Sequence, residues 1–81
     1  MMNQNLLVKR RSELTINKNN LLTTKRYIKL AIGELRLQPV EQNETTFKHL
    51  LESLNSVQVC LMNVTNELVE IAKELEKGNK R

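Results

Sequence analysis

The chain has no tryptophan and no aspartate, and its 81 residues include one cysteine, one histidine, one proline and two glycines. Tyr27 and Phe47 are its aromatics. Large rings supply much of the burial in small cores, so a core here must come from Leu, Ile and Val. Cys60 has no partner for an internal disulfide, and Cys60 with His49 falls short of the roughly four ligands of a structural zinc site. Neither staple is open to a domain too small to bury much surface by itself. Oligomerisation or docking on a larger protein is the remaining route. A lone cysteine also fits a reducing compartment, so a cytoplasmic location is expected.

The same shortages weigh against catalysis. General acid–base chemistry needs positioned His, Asp or Glu side chains in a cleft. Aspartate is missing, and His49 falls on the side of its segment away from the apolar residues. Gly33 and Gly78 are too few and too far apart for a phosphate-cradling loop. We expect no enzyme activity, no cofactor, no metal site and no small-molecule substrate. No apolar run approaches the roughly 20 residues of a membrane-spanning helix. Lys9, Arg10 and Arg11 follow the first apolar run instead of preceding it, so no signal peptide is expected.

Charge is divided between the halves. Residues 1–37 carry eight Lys/Arg against Glu13 and Glu34, whereas residues 38–81 carry five against seven Glu. Glutamate favours helix more than aspartate does, because aspartate competes for backbone hydrogen bonds.

In the second half Phe47, Leu50, Leu54, Val57, Leu61, Val64, Leu68, Ile71 and Leu75 recur at alternating gaps of three and four. No strand has this period. The stripe predicts a helix over about 46–77, with Gly78 as the stop and some 42 Å between Phe47 and Leu75. Asn43 or Thr45 could cap it. Alternatively Pro39 starts it earlier, which would add Val40 to the stripe.

The first half is patterned more weakly. Leu7, Leu14, Leu21, Ile28 and Leu35 stand seven apart and predict a helix over about 6–37. Its neighbouring seam positions are Arg10, Asn17, Thr24 and Ala31, of which Ala31 alone is apolar. Arg11, Lys18 and Lys25 would line one edge. Asn17, Asn19 and Asn20 have low helix propensity and mark 16–20 as the place where this helix could break. A strand over 27–32 with a turn at Gly33-Glu34 competes locally; the sevenfold spacing favours helix. Residues 1–5 and 78–81 are expected to fray.

The fold expected is a single all-α domain, an antiparallel hairpin of two long helices joined by a turn at about 38–45 and pairing into a four-helix bundle. Beyond the stripe, Leu51 and Cys60 widen its edges, and Val59, Met62 and Val69 lie further round, facing water in a hairpin. A helix apolar on most sides is normally surrounded by other helices. The expected function is therefore a non-catalytic interaction module. It would bind itself or another helical protein through Phe47, Leu50, Leu51, Leu54, Val57, Val59, Leu61, Met62, Val64, Leu68, Val69 and Ile71. The competing expectation is a small nucleic-acid-binding accessory protein that presents Lys9, Arg10, Arg11, Lys18, Lys25, Arg26 and Lys29 to phosphates. An anionic membrane surface fits less well, since it needs an amphipathic helix rich in bulky boundary residues and the first helix is only marginally so.

Overall fold

The computed structural model describes residues 4–79, with backbone alone at 40–42 and 79. Two α-helices account for nearly all of it: α1 spans Gln4–Leu35 and α2 spans Val40–Asn79. They pack against each other as an antiparallel hairpin 62 Å long and about 15 Å across. The described residues contain no strand, so the alternation at 27–32 reflects two sides of a helix.

The turn is shorter than the sequence suggests. After α1, the backbone amides of Leu37 and Gln38 donate to the carbonyls of Glu34 and Leu35, at 3.1 and 3.0 Å. These i→i+3 bonds use up carbonyls that a helix end leaves without partners. Gln38 precedes Pro39, and a residue before proline is pushed out of the helical region. The proline ring fixes φ near the helical value and lacks the N–H that a helix start leaves unpaired. α2 accordingly begins at Val40, not near 46, and Asn43 lies within its first turn, where its amide donates to Gln38 Oε1 at 2.9 Å. The Val40 side chain, expected to extend the stripe, lies outside the described residues.

At the far end, the Gln4 side chain occupies the place where a Cβ on Gly78 would be, so the start of α1 meets the end of α2. Gly78 does not stop the helix: α2 continues to Asn79, and no described glycine has positive φ. Residues 4, 5, 78 and 79 are helical; the remainder of the expected frayed ends, 1–3 and 80–81, lies outside the described residues.

α1 is continuous through 16–20, so the break that the asparagines allowed there does not occur. Helix propensity is a weak prior that packing overrides. Leu14 and Leu21, either side of the asparagines, both turn toward α2. The threonine hydroxyls are satisfied locally, with Thr15, Thr23 and Thr24 donating to the carbonyls of Arg11, Asn19 and Asn20 at 2.8–3.0 Å.

A second correction concerns how α1 is rotated. The row Leu7, Leu14, Leu21, Ile28, Leu35 does face α2, but its companion row is Lys18, Lys25 and Ile32, half-buried or buried, while of the expected row Arg10, Asn17 and Thr24 are exposed and only Ala31 is half-buried. Short polar side chains at a seam must give up water. A lysine can lay its alkyl stem along the seam and keep its ammonium wet. Ile32 also buries more apolar surface than Ala31.

The resulting core is thin. Leu7, Leu14, Ile32 and Ile71 are buried, and among the described residues no side chain is completely enclosed. Leu7, Leu14 and Ile71 form one cluster, against which Val64, Leu68 and Leu75 pack. The rest of the α2 stripe, from Phe47 to Leu61, is half-buried. Gly33 sits inside α1, exposed, with nothing within 4 Å of the place a Cβ would occupy. Gly33→Ala is therefore expected to stabilise the hairpin by about 1 kcal/mol, read as a higher melting temperature by circular dichroism.

Candidate functional site

An ion pair fixes which sides of the two helices lie together. The Arg10 guanidinium bonds Glu67 Oε2 through Nε and a terminal nitrogen, both at 2.9 Å. Arg10 belongs to the row Arg10, Asn17, Thr24, and Glu67 belongs to the row Ser53, Cys60, Glu67, Glu74, so both rows flank the seam on one side of the hairpin. Thr24, His49, Glu52, Ser53 and Ser56 line a shallow groove there, floored by Ile28, Leu50 and Val57. His49 is exposed, with Nδ1 3.8 Å from Glu52. This side is polar.

The opposite side is different in kind. Four rows at seven-residue spacing run side by side across it. α1 contributes Val8, Thr15, Leu22, Lys29 and, nearer the seam, Arg11, Lys18, Lys25. α2 contributes Leu51, Gln58, Thr65, Ala72 next to the seam and Asn55, Met62, Val69 beyond it. Thr65 is half-buried, as a position adjoining the seam should be. Leu22 is 46% exposed, and Leu51, Met62 and Val69 are between 43% and 57% exposed. Val59, at 44%, turns further toward the outer edge of α2.

Charge is distributed as unevenly as apolarity. Residues 53–66 of α2 include no charged residue, and residues 14–24 of α1 include Lys18 alone. Between Glu44 near the turn and Glu76 at the far end, the rows of the apolar side hold no carboxylate. They do hold Arg11, Lys18, Lys25, Lys29 and, toward the turn, Lys48. Among the described residues neither Lys18 nor Lys25 pairs with a carboxylate, although both are half-buried. The ion pairs Arg10–Glu13, Lys73–Glu70 and Lys77–Glu74, at 3.5–3.7 Å, run along their own helices.

The residues expected at an interface thus divide into two groups. Phe47, Leu50, Leu54, Val57, Leu61, Val64, Leu68 and Ile71 form the seam with α1 and are half-buried or buried. Leu51, Met62 and Val69, with Val59 at the margin, remain available. Sequence reasoning missed Val8 and Leu22, because the flank of α1 follows from its rotation about the seam. It also missed exposed apolar residues on the outer side of α1, where Ile16 and Leu30 stand fourteen apart with Leu6 and Tyr27 alongside, and Leu37 follows in the turn.

The basic residues divide as well. Lys9, Arg11, Arg26 and Lys29 are exposed, Arg10 is engaged by Glu67, and Lys18 and Lys25 lie against the seam.

Sites for chemistry are sparse. Among the described residues no three of His, Cys, Asp and Glu come together as metal ligands, and Cys60 is exposed. A hollow of about 140 Å³ near the turn is lined by Leu35, Arg36, Asn43 and Phe47. That is smaller than the roughly 300–1,000 Å³ of a typical ligand pocket, whereas the groove lined by Thr24, His49 and Glu52 is larger, about 610 Å³, and open to solvent. Among the described residues no helix is long and apolar enough to cross a membrane. No family model, no curated protein and no solved structure matches this chain.

Proposed function

We propose that the chain is a non-catalytic interaction module that uses its apolar side to dock onto another helical protein surface. The observation that carries this reading is the gathering of exposed Leu22, Leu51, Met62 and Val69 on one side of a hairpin whose own core stays thin. Water excluded from those side chains favours association at about 25 cal/mol per Å² of apolar surface. The simplest closed arrangement is a four-helix bundle, with a second pair of helices covering the side that α1 and α2 leave open. A lone cysteine fits a reducing compartment, and we place the module in the cytoplasm.

The test is a photo-crosslinking amino acid placed at Met62 on the apolar side or at Ser56 on the polar side, in the chain expressed in its native cells. A protein adduct from Met62 and little from Ser56 is expected. No adduct from Met62, or equal yields from both positions, would remove this reading.

A second reading draws on the exposed Lys9, Arg11, Arg26 and Lys29. Lys9 and Arg26 are about 25 Å apart along α1, a span that could track a phosphate backbone. Oligonucleotide titration at two salt concentrations separates it from the first: binding that falls steeply with salt and weakens in Arg26→Ala for every sequence would favour nucleic acid.

A further inference from the structure

We propose that the partner of the apolar side is an acidic amphipathic helix of another protein, with glutamates beside its apolar stripe at seven-residue spacing, and not a second copy of this chain. The inference rests on the apolar side being a protein-docking surface and adds what must lie on it.

Charge complementarity carries the argument. Arg11, Lys18 and Lys25 form a row whose members are about 10.5 Å apart, with exposed apolar residues on both flanks. Lys18 and Lys25 have already lost part of their hydration without gaining a carboxylate among the described residues. A cation in that position is stabilised by an opposing carboxylate, and an amphipathic helix laid along the side brings one with every second turn. Its apolar stripe would cover Leu51, Met62 and Val69, which sets the glutamates beside that stripe over the cation row and next to Leu22.

A second copy would bring the opposite. Stacking α1 on the α1 of a twin hairpin places Arg11 and Lys29 of each chain near those of the other. Stacking α1 on the twin's α2 sets the cations against Leu51, Gln58, Met62 and Val69, which offer no carboxylate. Either arrangement leaves the central Lys18 and Lys25 of both chains without a carboxylate at an interface, since Glu44 and Glu76 stand only at the ends of the α2 rows.

Two other anionic surfaces satisfy the cations less completely. A nucleic-acid backbone supplies anions and no apolar stripe, so Leu22, Leu51, Met62 and Val69 would stay uncovered. An anionic bilayer would have to accept Lys18 and Lys25 between the two apolar flanks, whereas surface-binding helices keep their cations on the polar side.

The experiment uses the full chain and a synthetic helical peptide of repeated heptads with leucine at the seam and glutamate at the flanking positions. Its control carries lysine in place of each glutamate. Titration followed by circular dichroism and calorimetry should give a saturable complex with the glutamate peptide and none with the lysine peptide. Arg11→Glu with Lys29→Glu, both at exposed positions, should keep full helicity and weaken binding by at least about tenfold. Met62→Gln, also at an exposed position, should weaken it at unchanged charge. Equal binding of both peptides, or none of either, would overturn the proposal. So would dimerisation of the chain alone by sedimentation, or binding of duplex DNA or phosphatidylglycerol vesicles in preference to the glutamate peptide. A crosslink from Met62 to a second copy would overturn the acidic partner while keeping the docking surface; absence of any crosslink would remove both.

Discussion

Leu14→Glu is expected to unfold the isolated hairpin at room temperature. Leu14 is 3% exposed and packs in the cluster with Leu7 and Ile71. Removing a buried leucine forfeits roughly 1.5–3 kcal/mol of burial. The carboxylate that replaces it would enter the cluster against which Val64 and Leu68 pack, adding a desolvation cost that Arg10, Arg11 and Lys18, three or four residues away on the same helix, offset only in part. The sum, on the order of 4 kcal/mol or more, matches the 3–5 kcal/mol that a single core of this size typically supplies. The loss would be seen as collapse of the helical circular-dichroism signal. Leu30→Glu is the control, because Leu30 is largely exposed on the outer side of α1. It should shift stability by no more than about 0.5 kcal/mol. Equal effects of the two substitutions would mean that the helices do not pack in this register.

Lys18→Leu combined with Lys25→Leu is expected to act the other way. Both positions lie on the seam row that ends in buried Ile32. Leucine there would complete the apolar stripe of α1 against the half-buried stripe of α2. A gain of about 2 kcal/mol for the pair is reasonable at about 0.8 kcal/mol per newly buried methylene. That gain corresponds to a melting temperature roughly 10 °C higher in a domain this small. The same double variant should bind the glutamate-flanked peptide more weakly, because it removes two central cations. Stability up and binding down is the signature of residues retained for a partner at the expense of the fold. If stability fell instead, the lysines would have to be structural.

How much of this was legible in the sequence differs between the helices. In α2, every member of the three-four pattern from Phe47 to Leu75 is half-buried or buried. A strong apolar period leaves one way to orient a helix, and Val59, Met62 and Val69 then fall outside the seam as expected, while Leu51, expected to widen the stripe at its edge, is exposed beside it. Pro39 was the better of the two start signals, since a fixed φ next to a short turn outweighs the capping capacity of Asn43.

In α1 the sevenfold row gave the element but not its rotation. Arg10, Asn17 and Thr24 compete with Arg11, Lys18 and Lys25 for the second seam row, and neither set is apolar at its tip. The outcome depends on stem length and on Ile32 against Ala31, which become decisive once α2 is in place. The α1 half of the candidate face, Val8 and Leu22, shifts with that rotation and was not legible. The asparagines at 17, 19 and 20 misled for a related reason. Propensity describes an isolated helix, and most helical stability in proteins comes from packing.

The measurement closest to the central claim is residue-resolved NMR of the full chain during titration with the glutamate-flanked helix. Shifts confined to Val8, Arg11, Thr15, Lys18, Leu22, Lys25, Leu51, Met62, Thr65 and Val69 are predicted, with Arg10, Asn17, Thr24, Ser53 and Cys60 unmoved. Shifts centred on that second group, or none at a saturating concentration of peptide, would contradict a docking side opposite the Arg10–Glu67 pair.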